Sequence, residues 1–398
     1  MESKFSGNDS GGKAITVPAI VHQTIELIQS DDPNSKIQAA REIRRLTKTS
    51  QKYRRQFSGA IEPLISMLRS DSLDCNEAAL LALLNLAVKD EKRAVHLGSA
   101  FNTFSDGKQC LPVYLNKIYI VDAGALEPLI NFLQSQSSNL REYATAALLT
   151  LSASAINKPT ISASGAIPLL VKILRDGSSQ AKVDAVMALY NLSTLQENLS
   201  MILAANAIPP LINLLKVCKK SSKTTEKCSA LLESLLGFDE GRTALTSEEG
   251  GVLTVVEVLE NGSLQSREHA VSALLTMCES DRCRYREPIL SEGVIPGLLE
   301  LTVQGTPKSQ SKAHTLLRLL RDSPYPRSEF QADTLENIVS NIVSQIDGED
   351  RSGKAKKMLA EMVQVSMEQS LRHLQKRALV CTPTDLPLTS CTSEVTLK

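Results

Sequence analysis

The 398-residue chain carries 44 Lys and Arg residues against 44 Asp and Glu residues, so its formal net charge is zero. A balanced charge gives no electrostatic reason to expect nucleic acid as a partner. The chain has no Trp. It also has no apolar run of about 18 residues, so we expect no membrane span. The length suits two globular domains or one extended repeat array.

The two ends of the chain have the composition of unstructured tails. Residues 1–16 are polar and rich in Gly and Ser, without the apolar core of a signal peptide, and residues 380–398 are rich in Thr, Ser and Pro without periodicity. We predict that both are disordered. The eight Cys residues include no CxxC pair, which favours reduced thiols and a cytoplasmic or nuclear location.

The strongest signal is a short phrase that returns along the chain at a nearly constant spacing. It reads GAIEPLI at residues 59–65, and its copies lie at residues 124–130, 165–171, 206–212, 251–253 and 293–296. Four of the five steps between copies are 41 to 45 residues long, which is the period of HEAT and armadillo repeats. The remaining step is 65 residues.

Each copy belongs to the same predicted succession of three helices. The Gly or Asn of the phrase ends a short first helix, because these residues adopt left-handed backbone angles at low cost. Pro follows early in a second helix. A turn of Ser, Asp or Gly then leads to a long third helix rich in Ala and Leu, as at residues 78–88 and 183–192. Three helices per repeat favour armadillo over two-helix HEAT repeats.

We therefore predict an all-α fold, a right-handed superhelical armadillo-repeat solenoid of about eight three-helix units over residues 17–379. The last unit, residues 333–379, is degenerate and more charged, as expected where an outer face meets water. The 65-residue step predicts an irregular insertion at residues 92–115. Removing it restores the repeat spacing and joins Glu91 to Asn116, as in the phrase of the neighbouring repeats.

The repeated phrases, and third helices that end ALLNL (82–86) and ALYNL (188–192), resemble plant armadillo-repeat proteins. They are most similar to the armadillo domains of plant U-box ubiquitin ligases, over about residues 17–345. Only about 16 residues precede the first repeat, and none of them resembles a U-box. We therefore expect a stand-alone armadillo protein without ligase activity of its own.

Aligning the repeats by their phrase places one polar residue of each third helix in register. This polar ladder consists of Arg45, Asn85, Thr150, Asn191, Glu233, Thr276 and Arg318. In the armadillo family this position is often Asn. The resemblance implies that Asn85 and Asn191 hydrogen-bond the backbone of an extended peptide in a concave groove, since an amide both donates and accepts.

The peptide-binding importins carry a Trp ladder one turn earlier on the same helices. This chain has other residues at the equivalent positions, namely Leu81, Ala146, Met187, Ser229 and Ser272. The resemblance therefore argues against importin-like recognition of basic peptides.

A second set of residues lies nine positions before the polar ladder, near the starts of the third helices. It consists of Lys36, Asn76, Arg141, Lys182 and Arg267. A cation there opposes the helix dipole, so it is not placed for helix stability. We predict that Arg141, Lys182 and Arg267 form a basic rim for an acidic partner segment. The alternative is a solvated face with local pairs, such as Arg141 with Glu142.

Catalytic and metal-binding motifs are missing from the sequence. The five His residues have no Cys, Asp or Glu at metal-ligand spacing, and no HExxH, GxGxxG, phosphate-loop or GxSxG motif occurs. We expect no enzyme activity and no cofactor. A metal held by Cys278, Cys283 and distant partners is the weak alternative. The basic pairs Arg44-Arg45 and Lys219-Lys220 are short and lack aromatic companions, so we expect no nucleic acid partner.

The sequence as a whole predicts a monomeric, non-catalytic scaffold that binds a protein partner, extended or acidic, in the groove of an armadillo solenoid. The alternative is the substrate-binding component of a ubiquitin-ligase system whose catalytic module is absent or supplied in trans. A nuclear-transport carrier is a third hypothesis, which the missing Trp ladder disfavours.

Overall fold

The computed structural model of the chain describes residues 17–88 and 113–321, and every regular element in those ranges is helical. The α-helices in chain order are α1 (Val17–Gln29), α2 (Pro33–Thr47), α3 (Gln51–Gln56), α4 (Ile61–Met67), α5 (Leu73–Ala87), α6 (Val113–Asp122), α7 (Leu126–Leu133), α8 (Ser138–Ser152), α9 (Asn157–Ala163), α10 (Ala166–Asp176), α11 (Ser179–Ser193), α12 (Glu197–Ala204), α13 (Ile208–Val217), α14 (Lys223–Leu235), α15 (Asp239–Ser247), α16 (Gly251–Asn261), α17 (Leu264–Ser280), α18 (Arg282–Ser291), α19 (Ile295–Gln304) and α20 (Pro307–Leu320). One short 3₁₀ helix, Phe57–Ala60, leads into α4.

These helices follow the predicted order of a short first helix, a second helix and a long third helix in each repeat. Within the described residues, α1 and α2 form a two-helix first repeat, and α3 to α20 form six repeats of a first, a second and a long third helix. The predicted all-α armadillo fold is confirmed. The predicted eighth unit at 333–379, both predicted tails and residues 92–112 of the predicted insertion lie outside the described residues. Residues 113–115 are an exception to the predicted loop, because they already belong to α6.

The chain divides into two compact units. Unit 1 contains helices α1 to α14, and unit 2 contains helices α15 to α20. In unit 1 the third helices α2, α5, α8, α11 and α14 contact one another in that order, and in unit 2 the third helices α17 and α20 are in contact. Their buried faces are built from small and branched apolar residues, such as Ala79 and Leu86 of α5 and Leu189 of α11.

Hydroxyl or carboxylate caps start most third helices earlier than their apolar pattern suggests. A side-chain oxygen accepts a hydrogen bond from a backbone N–H of the first turn. The capping residues are Asp32, Ser72, Ser137, Ser178, Ser263 and Thr306. Helix α5 therefore begins at Leu73 rather than at residue 78, and α11 at Ser179 rather than at residue 183.

The joint between the first and second helices is a left-handed residue in five repeats. Gly124, Gly165, Gly293 and Asn206 have φ of 87°, 79°, 73° and 58°, as the phrase predicts. The fifth of these joints, between α15 and α16, is formed by Gly250, with φ of 65°, and not by Gly251. A Cβ on Gly251 would lie 2.2 Å from the Leu245 carbonyl oxygen, so this position accepts no side chain. The first copy of the phrase also differs, because Gly59 lies in the 3₁₀ helix.

Among the described helices, none alone is both long and apolar enough to cross a bilayer. Helices α12 and α13 meet that condition only together, and they are bent by 82° at the break between them.

Candidate functional site

The third helices of unit 1 share a partly exposed stripe that we call the third-helix surface. On α5 the stripe consists of Leu81, Leu84 and Asn85, and it ends at the exposed Val88. The spacing of three and four residues keeps these side chains on one face of the helix. On the neighbouring helices the same positions are Ala146, Leu149, Thr150 and Ala153 on α8, and Met187, Tyr190, Asn191 and Thr194 on α11. The predicted polar ladder residues of unit 1 therefore lie on a surface that is otherwise largely apolar.

The two ladder asparagines fix the register between neighbouring third helices. Asn85 Nδ2 donates to the carbonyl oxygen of Arg44 at 2.8 Å. Asn191 Nδ2 donates to the carbonyl oxygen of Leu149 at 3.4 Å and to Ser152 Oγ at 3.1 Å. In both cases the backbone acceptor belongs to the residue just before the preceding ladder member. In the described part of the chain, neither Asn accepts a hydrogen bond through its own Oδ1.

The other ladder members have more local roles. Thr150 Oγ1 donates to the carbonyl oxygen of Ala146 in its own helix at 2.9 Å. Arg45 lies on the surface and binds both carboxylate oxygens of Glu42, at 2.6 and 2.8 Å. Glu233 is half-buried on α14. In unit 2, Thr276 is half-buried and Arg318 is exposed.

Two of the three cations of the predicted basic rim bind groups of the fold, and of these Arg141 is half-exposed whereas Arg267 is buried. Arg141 donates to the carbonyl oxygens of Ser135 and Gln136, at 2.7 and 3.2 Å, in the turn before its own helix. Asn76 makes the equivalent bond to the Ser70 carbonyl oxygen at 2.9 Å. These side chains close the turn between second and third helices, and Lys182 remains half-exposed.

Arg267 is turned inward in unit 2. Its side chain is only 8% exposed, and its guanidinium contacts the Glu300 carboxylate at 3.0 Å. Glu300 itself is 45% exposed, so the ion pair joins a buried cation to a carboxylate at the surface. Such a pair serves the packing of α17 against its neighbours and leaves no cation on a rim.

Among the third helices of unit 1, exposed cations are concentrated on α2. Arg41, Arg44, Arg45 and Lys48 line a cleft of about 300 Å³ together with Asn85. The third-helix surface therefore begins with a basic segment and continues over apolar residues and amides. The sequence placed Arg45 in the polar ladder and showed Arg44-Arg45 as a short basic pair, but the cleft that they form with Asn85 is not visible in a linear sequence.

A third set of repeated residues, on the first helices, was not assigned a role from the sequence. Asn116, Asn157 and Asn198 are 2%, 2% and 3% exposed. Each donates through Nδ2 to a carbonyl oxygen at the end of the preceding third helix, that of Leu86, Leu151 and Leu192 respectively. We call them the buried asparagines.

The first two buried asparagines also join successive first helices. Asn116 Nδ2 donates to the Arg54 carbonyl oxygen at 3.2 Å, and Asn157 Nδ2 donates to the Lys117 carbonyl oxygen at 2.9 Å. Arginines perform the same capping elsewhere. Arg54 binds the carbonyl oxygens of Thr47 and Lys48 at the end of α2. In unit 2, Arg242 binds those of Leu236 and Gly237.

Several side chains on or beside the third-helix surface have shifted pKa values. Burial raises the pKa of Tyr143, and the nearby Glu77 carboxylate adds to this. Burial lowers the pKa of Lys227, but Glu226 at 3.2 Å and the Tyr190 ring, 4.5 Å below the ammonium, together raise it more. The surface therefore holds charged and aromatic groups.

The described residues contain no group of three or more His, Cys, Asp or Glu side chains that could hold a metal ion. Cys278 is buried, and burial raises the pKa of its thiol to about 11, so it is protonated at neutral pH. Cys283 is exposed. The alternative of a metal held by Cys278 and Cys283 gains no support among the described residues, because no further ligand joins them in a group of three.

Comparisons with known proteins identify the fold class and the family. The family model "Armadillo/beta-catenin-like repeat" matches residues 58–88, and the family model "Plant U-box protein ARM repeat region" matches residues 114–340. Together with the helical triplets, these matches make the chain an armadillo-repeat protein. More than half of it matches the second model, so the chain belongs to the family of plant U-box protein ARM repeat regions.

The matching curated proteins are U-box proteins from plants. U-box domain-containing protein 45 of Arabidopsis thaliana is 34% identical over 125 residues, which are 31% of this chain and 16% of that protein. U-box domain-containing protein 25 of the same plant is 37% identical over 101 residues, which are 25% of this chain and 24% of that protein. The alignments therefore span less than a quarter of these relatives' own lengths.

Solved structures share the fold at low sequence identity. An engineered protein of the Northeast Structural Genomics Consortium matches with a TM-score of 0.55 and 22% identity, over 92% of this chain and 95% of its own. A second engineered protein from the same source matches with a TM-score of 0.52 and 22% identity, over 65% of this chain and 96% of its own.

Proposed function

We propose that this chain is a non-catalytic scaffold that binds an extended segment of a partner protein along the third-helix surface of unit 1. The observation that carries the proposal is the pair Asn85 and Asn191. Each amide uses its Nδ2 to hold the neighbouring third helix, while its Oδ1 stays available as an acceptor in the described structure. An extended backbone offers N–H groups that need such acceptors.

The surroundings of the two amides support binding of a peptide rather than of a small molecule. Leu84 lies beside Asn85 on α5, and Tyr190 lies beside Asn191 on α11, so each acceptor adjoins apolar area. Helices α5 and α11 are two neighbour distances apart, about 16–20 Å for packed helices. That span corresponds to about five or six residues of extended chain. A segment of this length would contact both amides at once.

The proposal is tested with peptides selected from a phage-displayed library of random linear sequences on the purified full chain. Asn85→Ala and Asn191→Ala should each weaken the selected peptides by about 0.5–1.5 kcal/mol, the net value of one hydrogen bond, and the two effects should add. The matched control is Asn131→Ala with Asn213→Ala, which removes two exposed amides from the second helices α7 and α13. Peptides that bind the Asn85/Asn191 double variant as tightly as wild type would refute the proposal.

A second candidate function rests on the family. The curated relatives are U-box proteins, so the chain could serve as the partner-binding component of a ubiquitin-ligase system with the ligase module elsewhere. In a reconstituted reaction, the chain alone with conjugating enzymes should form no ubiquitin conjugates. Adding it to a U-box module should raise ubiquitin transfer to a bound partner. Conjugates formed by the chain alone would contradict the non-catalytic assignment.

Two further expectations belong to the same proposal. We place the protein in the cytoplasm or the nucleus, which imaging of a fluorescent fusion in plant cells tests. We also expect a monomer, because the proposed site needs residues of one chain only. Light scattering of the purified chain measures its mass in solution, and a stable dimer would show that the third-helix surface must be reconsidered as a contact between copies.

A further inference from the structure

The cleft between α2 and α5 carries an unbalanced positive charge. Between residues 33 and 56 the chain has eight Lys and Arg residues and one acidic residue, Glu42. Glu42 is committed to Arg45, with contacts of 2.6 and 2.8 Å. In the described part of the chain, no carboxylate pairs with Arg41, Arg44 or Lys48, all of which are exposed and line the cleft.

These cations are not needed to finish helix α2. Cations near a helix C-terminus often serve its last carbonyl groups. Here the buried Arg54 already binds the carbonyl oxygens of Thr47 and Lys48, at 2.9 and 3.1 Å. Asn85 binds that of Arg44. In the described structure the side chains of Arg41 and Lys48 therefore have no structural task, and Arg44 has only an electrostatic interaction with Tyr143.

The charge is also specific to this helix. The residue equivalent to Arg41 is Leu81 on α5 and Ala146 on α8. The residue equivalent to Arg44 is Leu84 on α5 and Leu149 on α8. If these cations served only to keep a helix face in contact with water, they would not need to be confined to the first repeat. Among the described residues of unit 1, the cations of the third-helix surface that lack a carboxylate partner therefore lie at its α2 end.

We infer that this cleft binds an acidic stretch of the partner segment in which Asp or Glu occupies alternate positions. The inference rests on the proposed function, since it names the chemistry of the segment at one end of the same surface. Carboxylates suit the guanidinium groups of Arg41 and Arg44, because each planar guanidinium can donate two parallel hydrogen bonds to one carboxylate.

The spacing of the cations selects a run of carboxylates over a single anion. From Arg41 to Lys48 the helix rises about 10 Å. Alternate residues of an extended segment lie about 6.6–7 Å apart on one face. Two such carboxylates thus reach different turns of α2, with Arg41 at one end and Lys48 at the other. The Oδ1 of Asn85 on the opposite wall accepts a backbone N–H of the same segment.

The test uses fluorescence anisotropy with labelled peptides and the purified full chain. One peptide alternates Glu and Thr, and a second has the same composition with all Glu residues in one block. A phosphoserine peptide and a single-stranded RNA of similar charge complete the probes. The variant Arg44→Gln/Lys48→Gln removes one Arg and one Lys from the cleft. The matched control Lys172→Gln/Arg175→Gln removes an exposed Lys and Arg from α10, and circular dichroism checks that both variants fold.

The alternating peptide should bind wild type most tightly, more weakly as salt is added, and at least about tenfold more weakly to the cleft variant than to the control variant. Equal binding to both variants would overturn the inference. So would a block peptide, phosphopeptide or RNA that binds as tightly as the alternating peptide. If no acidic peptide binds while library-selected peptides still depend on Asn85 and Asn191, the inference is wrong and the proposed function stands.

Discussion

The buried asparagines of the first helices and the ladder asparagines of the third helices use the same amide in different surroundings. Asn157 is 2% exposed and donates to two carbonyl oxygens that no water can reach without opening the fold. Asn191 donates in a similar way but is half-exposed, and its Oδ1 has no partner in the described structure. Both sets recur with the period of the fold. Recurrence alone therefore does not identify a binding residue. A candidate binding residue is one whose side chain also keeps a polar atom accessible, as Asn191 does with its Oδ1.

The largest expected effect concerns Asn157. Asn157→Ala removes one hydrogen bond to the carbonyl oxygen of Leu151, which keeps the Ser154 N–H at 3.1 Å, and one to that of Lys117, so the free energy of unfolding should fall by about 1–3 kcal/mol, the net value of two hydrogen bonds. Asn198→Ala affects the single carbonyl oxygen of Leu192, and it should cost about half as much. Urea denaturation measures both. Equal losses for the two variants would show that the number of capped carbonyls does not determine the cost.

A smaller effect is expected at Asn206, whose role comes from its backbone conformation and not from its side-chain amide. With φ of 58° it takes the left-handed conformation that Gly holds in the neighbouring repeats. Asn206→Ala should cost about 1–2 kcal/mol, because a Cβ without a local hydrogen bond disfavours these angles. Asn206→Gly should be nearly neutral. Thermal unfolding of the two variants checks this, and an Ala variant as stable as the Gly variant would contradict it.

The ladder asparagines should matter still less for stability. Asn85→Ala or Asn191→Ala should lower the free energy of unfolding by no more than about 1 kcal/mol, since water can reach the carbonyl oxygens that they leave. Their effect should appear in peptide binding instead. A loss of stability as large as that of Asn157→Ala would assign these residues to the framework and remove the distinction between the two sets.

The last prediction concerns Asp184 of helix α11. Asp184, two turns before Asn191, is 9% exposed, and burial raises its pKa, with Gln180 opposing and Glu142 adding to the shift. A raised pKa favours the neutral acid in the folded state. That contribution to stability is therefore present at low pH and is lost as the pH rises through the folded-state pKa.

Asp184→Asn should accordingly raise the melting temperature at pH 7, while keeping an oxygen that can accept from Gln180, at 2.9 Å in the parent protein. The difference between variant and parent should shrink as the pH falls below the ordinary range of Asp. Asp71→Asn, which replaces an exposed carboxylate between helices α4 and α5, serves as the matched control. An Asp184→Asn variant that is less stable at pH 7 would show that the carboxylate charge is favourable.

The fold followed from the sequence because its main signals are local and repeated. The left-handed joints at Gly124, Gly165 and Asn206 come from residue types with few alternatives. The apolar spacing then requires three helices. Helix starts were less predictable, because a capping Ser adds four or five mostly polar residues, at 73–77 and 179–182, that carry no clear apolar pattern. The shift from Gly251 to Gly250 shows the same limit, since two adjacent glycines look equivalent until Leu245 is packed against one of them.

The candidate site could be predicted only in part. Register on the third helices was available from alignment of the repeats, and it identified Asn85 and Asn191. The direction of long cationic side chains was not available. Arg141 and Arg267 lie at the same repeat position, yet Arg141 binds carbonyl oxygens of the preceding turn while half-exposed, and Arg267 is buried against Glu300. Arg41 and Arg44 have no such partner and remain outside.

The hydrogen bond from Asn116 to Leu86 has a practical consequence for protein engineering. The two residues are 30 positions apart, whereas Asn157–Leu151 and Asn198–Leu192 pairs are 6 apart, with the same contact. The docking of α6 against α5 is thus specified by side chains and not by the covalent path between them. The gap between these two helices is therefore a natural place to cut, tag or rejoin the polypeptide.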